Sequence, residues 1–159
     1  MSDLFDNGAE FSDCKKYRYA LWRIWDESKP FVMFIGLNPS IANENSDDPT
    51  IRRVRRFSAD WGYGGVYMVN LFAWVTAYPQ ELNKCDNPLA DNDKWLEKIS
   101  NKCDKIIFAW GSFAKAQDRG RQMIKMFPNA HALMINSNGS PRHPLYVKSD
   151  VVPIPIKPL

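Results

Sequence analysis

With 159 residues, 45% of them apolar, and a net charge of +3, the chain can bury the core of one domain and is too apolar to be a disordered segment. Cys14, Cys85 and Cys103 are an odd, widely spaced set without a CxxC pair, and the two histidines stand far apart. This pattern argues against a disulfide framework, an iron–sulfur cluster and a zinc site, so neither metal nor cofactor is expected.

Residues 1–16 are polar and read as a loosely held arm. Tyr17–Trp25 is aromatic-rich and partly alternating, which predicts a strand suited to a sheet edge. Phe31–Ile35 is the first of four continuous apolar runs, followed by Val66–Val69, Ile106–Ala109 and Ala132–Ile135. Runs of this length read as strands buried on both faces, as in a parallel sheet. Between the first two runs, a polar loop over 37–49 leads into a helix ending near Trp61. Asp48 is placed as its N-cap, Pro49 near its first position and Gly62 as its stop. A connection over 72–88 precedes a helix over 89–102, and Ser112 is placed to cap a helix running to Met126. The last buried strand is expected over 131–136. Pro153 and Pro155 confine a final strand over 151–156 to a sheet edge. Strands alternating with helices predict a single α/β domain over 1–159: a three-layer α/β/α sandwich around a mainly parallel, roughly four-stranded sheet. No signal peptide or membrane-length apolar run is found, so a soluble, cytoplasmic monomer is expected.

Each apolar run ends in a polar turn. In order these are Gly36-Leu37-Asn38-Pro39-Ser40, Asn70-Leu71-Phe72, Trp110-Gly111-Ser112 and Gly139-Ser140-Pro141-Arg142-His143-Pro144. Ligands of open parallel sheets bind outside the carboxyl ends of the strands, so these turns should share one cleft. Asn38 either closes a structural Asn-Pro turn or presents its amide to a ligand or water. The amide of Asn70, on an apolar strand, needs a partner, either backbone or the planar edge of a ligand. His143 sits in a loop stiffened by Pro141 and Pro144, which favours a catalytic or binding role, whereas His131 reads as structural. Asp47 or Asp48 could supply a carboxylate to the cleft; the cap is favoured for Asp48, and Asp47 remains open. Arg52, Arg53, Arg55 and Arg56 share one helix. Some must be solvated, but Arg52 and Arg56 have the spacing to face a phosphate backbone together.

In this order the turns resemble the motifs of the uracil-DNA glycosylase superfamily. Gly36-Leu37-Asn38-Pro39-Ser40 resembles the water-activating motif, in the Gly-x-Asn-Pro form of the mismatch-specific uracil/thymine branch. Val69-Asn70-Leu71 resembles the strand whose Asn reads the base edge. Ile106–Ala114 resembles the third strand with its helix, and His143-Pro144-Leu145 the loop that holds the leaving base. The chain is also similar to a small bacterial and phage group catalogued only as a domain of unknown function.

The resemblance implies a uracil-DNA-glycosylase-like sandwich and a monofunctional DNA glycosylase without a Schiff-base lyase step. Asn38 would orient water and His143 would stabilise charge on the departing base. Gly36, Leu37, Ser40, Asn43, Asn70 and Phe72 would hold the base, with Phe57 and Trp61 as other stacking candidates. Arg52, Arg56, Ser112, Ser140 and Arg142 would contact DNA phosphates, while Leu145 or Tyr146 fills the space of the flipped base. The chain departs from the pattern where Asn38 replaces a catalytic Asp, where Ser40 replaces a pocket-closing aromatic, and in a shorter wedge loop. Ser40 leaves room for a C5 substituent, so the expected substrate is a hydroxymethylated or glycosylated pyrimidine such as occurs in phage DNA, with a role in defence. The alternatives are a non-catalytic reader of modified bases and an N-glycosidase or transferase of free nucleotides.

Overall fold

The structure, a computed structural model, describes residues 6–156. One sheet contains β1 (Asp6–Phe11), β2 (Arg18–Ile24), β3 (Phe31–Gly36), β4 (Gly65–Asn70), β5 (Lys105–Phe108), β6 (His131–Ala132) and β7 (Ile154–Pro155). Its strand order is β1-β2-β4-β3-β5-β6-β7. Three helices flank it: α1 (Pro49–Asp60), α2 (Asn92–Ser100) and α3 (Ala116–Met126).

The expected mainly parallel, four-stranded, uracil-DNA-glycosylase-like sandwich is corrected by this sheet. It is mixed and seven-stranded: β4-β3-β5-β6 run parallel, but β1–β2, β2–β4 and β6–β7 pair antiparallel. The outer strands were hidden for chemical reasons. β1, with sequence Asp-Asn-Gly-Ala-Glu-Phe, shows neither apolar continuity nor alternation, and its pairing with β2 rests on backbone hydrogen bonds. It occupies part of the expected arm, and residues 1–5 of that arm lie outside the described residues. β2 is consequently internal rather than an edge strand, and Ala20 and Leu21 are fully buried.

Alternation along β3 divides the core. Val32 and Phe34 face α1 and meet Ile51, Val54 and Phe57. Met33 and Ile35 face the opposite side, where α2 contributes Leu96 and Ile99 and α3 contributes Ala116 and Met123. Each large side chain so buried stabilises the fold by about 1.5–3 kcal/mol. No helix among the described residues is long and apolar enough to cross a membrane.

Other expected boundaries moved too: the final strand expected over 151–156 covers only Ile154–Pro155, and the helix expected over 89–102 covers Asn92–Ser100. The strand expected over 131–136 stops at Ala132 because β5, its parallel partner, ends at Phe108. The chain then folds back on itself, with Arg142 N–H donating to Met134 O and Asn136 N–H to Ser140 O, both at 2.8 Å. Helix α3 begins at Ala116, not after Ser112. Gly111 has φ +80°, and the next residues close turns from Ala116 N–H to Phe113 O and from Gln117 N–H to Ala114 O.

Candidate functional site

β3 and β4 run in register to their last residues, so Gly36 lies beside Asn70. Just beyond these strand ends is a cavity of about 210 Å³, lined by Gly36, Leu37, Asn38, Ser40, Asn70 and His143 among others. The close approach requires Gly36. A Cβ there would lie 2.8 Å from Asn70 Oδ1 and 2.6 Å from the Met68 terminal methyl.

Each polar side chain is held in a defined state. Asn38 Nδ2 donates to Thr76 O at 2.8 Å and Pro39 O at 3.1 Å. Those bonds orient the amide, and Oδ1, bonded to no described residue, remains the acceptor. Asn70 is 2% exposed, and its Nδ2 has no partner among the described residues. The backbone around it is tethered from behind. Asn92 Nδ2 donates to Asn70 O at 2.7 Å, while Arg119 donates to Leu71 O through Nε and Nη2 at 3.1 and 2.9 Å. These tethers fix where the Asn70 amide points.

His143 enters from the loop after β6. Its Nδ1 accepts from Leu145 N–H at 3.1 Å, which leaves Nε2 to carry the proton in the neutral ring. Burial lowers its pKa below the ordinary histidine value, against an opposing pull from Asp48. The ring is therefore a neutral N–H donor at neutral pH. Arg53 secures this loop to α1: its Nε donates to Pro144 O at 3.3 Å and its Nη2 to Val147 O.

Other expected site residues lie elsewhere. Asn43 does not line the cavity; its Oδ1 braces its own loop, accepting from Asn45 N–H at 2.8 Å and Ser46 Oγ at 3.1 Å. Phe72 is buried in the core on the α2–α3 side. Phe57 and Trp61 stack on each other at 5.6 Å in the core on the α1 side. None of these three lines the cavity. Ser112, Arg142, Tyr146 and His143 instead border a second, adjoining hollow of about 440 Å³. Ser140 is buried, and its Oγ is spent within the loop on Asn138 Oδ1 and Asn136 Nδ2, at 2.6 and 3.0 Å. Leu145 and Tyr146 are exposed, at 43% and 75%. Arg52 and Arg56 are exposed on α1, away from the cavity lining.

Residues outside the expected site set also line the cavity, among them Trp110, Asp48 and Arg18. Trp110 closes the cavity behind β5, and its ring lies 4.5 Å from that of Phe108. It opens the third of the polar turns expected to meet, so the strand-end rule that points to Asn38 and Asn70 points to it as well. Asp48 caps α1, as expected, with Oδ1 accepting from Ile51 N–H at 2.8 Å, but it also lines the cavity. Arg18 is the third. It is 2% exposed on β2, donates from Nη1 to Ala42 O at 3.0 Å, and its Nε has no partner among the described residues. Burial lowers its pKa to about 10, with Asp48 opposing and Arg23 reinforcing the shift. A charge inside an aromatic strand was the available signal. Among the described residues, no group of three or more His, Cys, Asp or Glu is arranged to hold a metal.

Fold and site together define an α/β domain with a small cavity, bordered by several hydrogen-bond donors, at the carboxyl ends of its parallel strands. A family model described as "Protein of unknown function (DUF1643)" matches residues 18–145, and the chain belongs to that family. The match runs from Arg18 to Leu145 and includes every residue lining the cavity. No curated protein and no solved structure matches the chain.

Proposed function

We propose that the protein is a monofunctional DNA glycosylase acting on a flipped, C5-modified pyrimidine. The observation that carries this reading is the convergence of Asn38, Ser40, Asn70 and His143 on one cavity. At about 210 Å³ the cavity is smaller than the roughly 300–1,000 Å³ of pockets for drug-sized ligands, which suits one ring and not a whole nucleotide. The reading rests on the order and meeting of these motifs, not on the sheet.

The flipped base enters edge-on to Asn70, whose buried Nδ2 donates to it. Asn38 Oδ1 orients a water toward C1′ of the sugar. The C1′–N1 bond breaks with its electron pair leaving on the base, and the water oxygen bonds to C1′. His143 Nε2–H stabilises the negative charge on the departing base. Asp48, the one carboxylate lining the cavity among the described residues, faces the positive charge growing on the sugar. A proton from the water completes the products, a free base and an abasic site. Free thiols at Cys14, Cys85 and Cys103 suit a reducing compartment, so the activity belongs in the cytoplasm.

The Asn38→Ala variant tests the chemistry. It is expected to lower kcat far more than DNA affinity, because a water-orienting group acts in the chemical step. Equal losses in binding and turnover would make Asn38 a binding residue. Asn38→Asp is not a gain: it sets a carboxylate against the carbonyls of Thr76 and Pro39 that now accept from Nδ2.

Phosphate binding is assigned to the exposed face of α1. Arg56 has only a 3.9 Å approach to the exposed Asp60, too weak to keep it from a phosphate. Neutralising Arg52 and Arg56 is expected to weaken binding to all DNA sequences alike, and to reduce the slope of log K against log salt by about 0.9 for each phosphate no longer neutralised. An unchanged slope would return both residues to ordinary solvation.

Ser40 sets the size of the base. Ser40→Tyr is expected to shift the kcat/KM ratio of bulky over plain pyrimidines downward by roughly 5- to 150-fold, matching about 1–3 kcal/mol of overpacking. Equal losses on both substrates would show that Ser40 does not face C5. A second reading, as a non-catalytic reader of modified bases, draws on the Asn that stands at position 38 where a carboxylate would serve as base.

A further inference from the structure

Three arginines are buried among the described residues, and two are fully engaged. Arg23 pairs with Asp47 at 2.9 Å and donates to the carbonyls of Trp22, Asn43 and Ser46. Arg119 pairs with Asp93 at 2.6 Å and also donates to Leu71 O and Gln122 Oε1. Arg18 is different. It makes no ion pair with a described residue, the single hydrogen bond of its side chain runs to Ala42 O, and its Nε is unpartnered although the residue lines the cavity.

A guanidinium taken out of water is unfavourable unless a counter-charge or a full set of acceptors replaces its hydration. The tie to Ala42 needs only a neutral donor and does not account for a buried charge. The nearby charges do not cancel it either. Asp48 lies close enough to act on Arg18, but its Oδ1 is spent on the N-terminus of α1. Asp47 is held between Arg23 and Arg55, at 2.9 and 2.7 Å. Arg18, Arg23 and Arg55 against Asp47 and Asp48 leave one positive charge in excess, and the amino end of α1 adds to it. The Asn70 Nδ2, also buried and unpartnered, supplies a second donor to the same space.

We propose that the ligand of this cavity carries a fixed oxyanion, of carboxylate or phosphate type, that docks on Arg18 with the Asn70 amide as second donor. This makes the C5 substituent acidic, not a neutral hydroxymethyl or sugar, and it rests on the glycosylase reading only for the pyrimidine ring that bears the group. A planar fork of N–H donors is the side chain best matched to such an oxyanion.

The test is titration of the whole chain with uracil, with uracil-5-carboxylate and with inorganic phosphate, followed by NMR. Uracil-5-carboxylate is expected to bind at least about tenfold more tightly than uracil, the scale of one charge-assisted hydrogen bond. Arg18→Gln is expected to erase that difference. Displacement of the carboxylate by inorganic phosphate would assign the subsite to phosphate-type groups, and binding without displacement would assign it to carboxylates. Equal binding of uracil and uracil-5-carboxylate to the wild-type protein would overturn the proposal, as would binding of neither anion, or a preference that survives in Arg18→Gln. The ligand comparison on the wild-type chain decides the matter even if the variant does not fold. Anion preference without excision of any base from DNA would sink the glycosylase reading alone; excision of neutral bases without anion preference would sink the oxyanion subsite alone.

Discussion

His143→Ala is expected to reduce base excision by about 10²–10³-fold, the scale for removing one preorganised transition-state donor. The fold should survive. The ring is only half-buried, and its one intramolecular bond, from Leu145 N–H, belongs to an exposed turn. The loop itself is anchored independently by Arg53 on the carbonyls of Pro144 and Val147. Because burial holds the pKa below the ordinary value, the donor is a neutral imidazole. Activity should therefore persist through neutral pH and fall only as acid protonates the ring. A folded, fully active His143→Ala protein would remove His143 from the mechanism.

The largest stability effect is expected at Asp47, which stands outside the cavity. Asp47→Ala leaves the guanidinium of Arg23, 1% exposed, without its carboxylate, and breaking such a buried pair costs about 3–5 kcal/mol. The pairing with Arg55 is about a third exposed and adds little. Urea denaturation measures the loss directly, and a variant within about 0.5 kcal/mol of wild type would show the pair to be incidental. The pH dependence has a definite sign. Burial pushes the Asp47 carboxyl up, but Arg55 and Arg23 more than offset it, so the folded pKa lies below its ordinary value. The stabilisation is present in full above the unfolded pKa, near 4, and is lost as pH falls through the lower folded value. Asp47→Ala should accordingly flatten the acid limb of the stability profile.

What could be seen in the sequence followed from local pattern. β3 and β4 are continuous apolar runs, so their ends were legible, and Asn38 and Asn70 both line the cavity beyond them. Asp48 and Pro49 announced the start of α1 because capping is a local interaction. The outer sheet was hidden because β1 is held by backbone pairing rather than by side-chain pattern. Length misled at β6, where an apolar run of strand-like character lacks a partner strand to continue on. Arg18 and Trp110 differ in how far the local pattern reveals them. Arg18 reaches the cavity from β2, an antiparallel neighbour of β4 that the expected parallel sheet did not include, whereas Trp110 directly follows an apolar run whose end was expected at the cleft. Phe72 has the ring to stack on a base, yet Leu71 and Phe72 turn into the α2–α3 core while Trp110 takes the place at the cavity.

The central claim is that this cavity breaks an N-glycosidic bond in DNA. It is tested most directly by incubating the protein with duplexes that each carry one defined pyrimidine, plain or C5-substituted, followed by alkaline cleavage and mass analysis of the released bases. The account predicts a free modified base, an alkali-labile abasic site at its position, and loss of both in Asn38→Ala and His143→Ala. Tight binding to modified DNA with no base released by the wild-type protein would contradict it and leave the cavity as that of a reader.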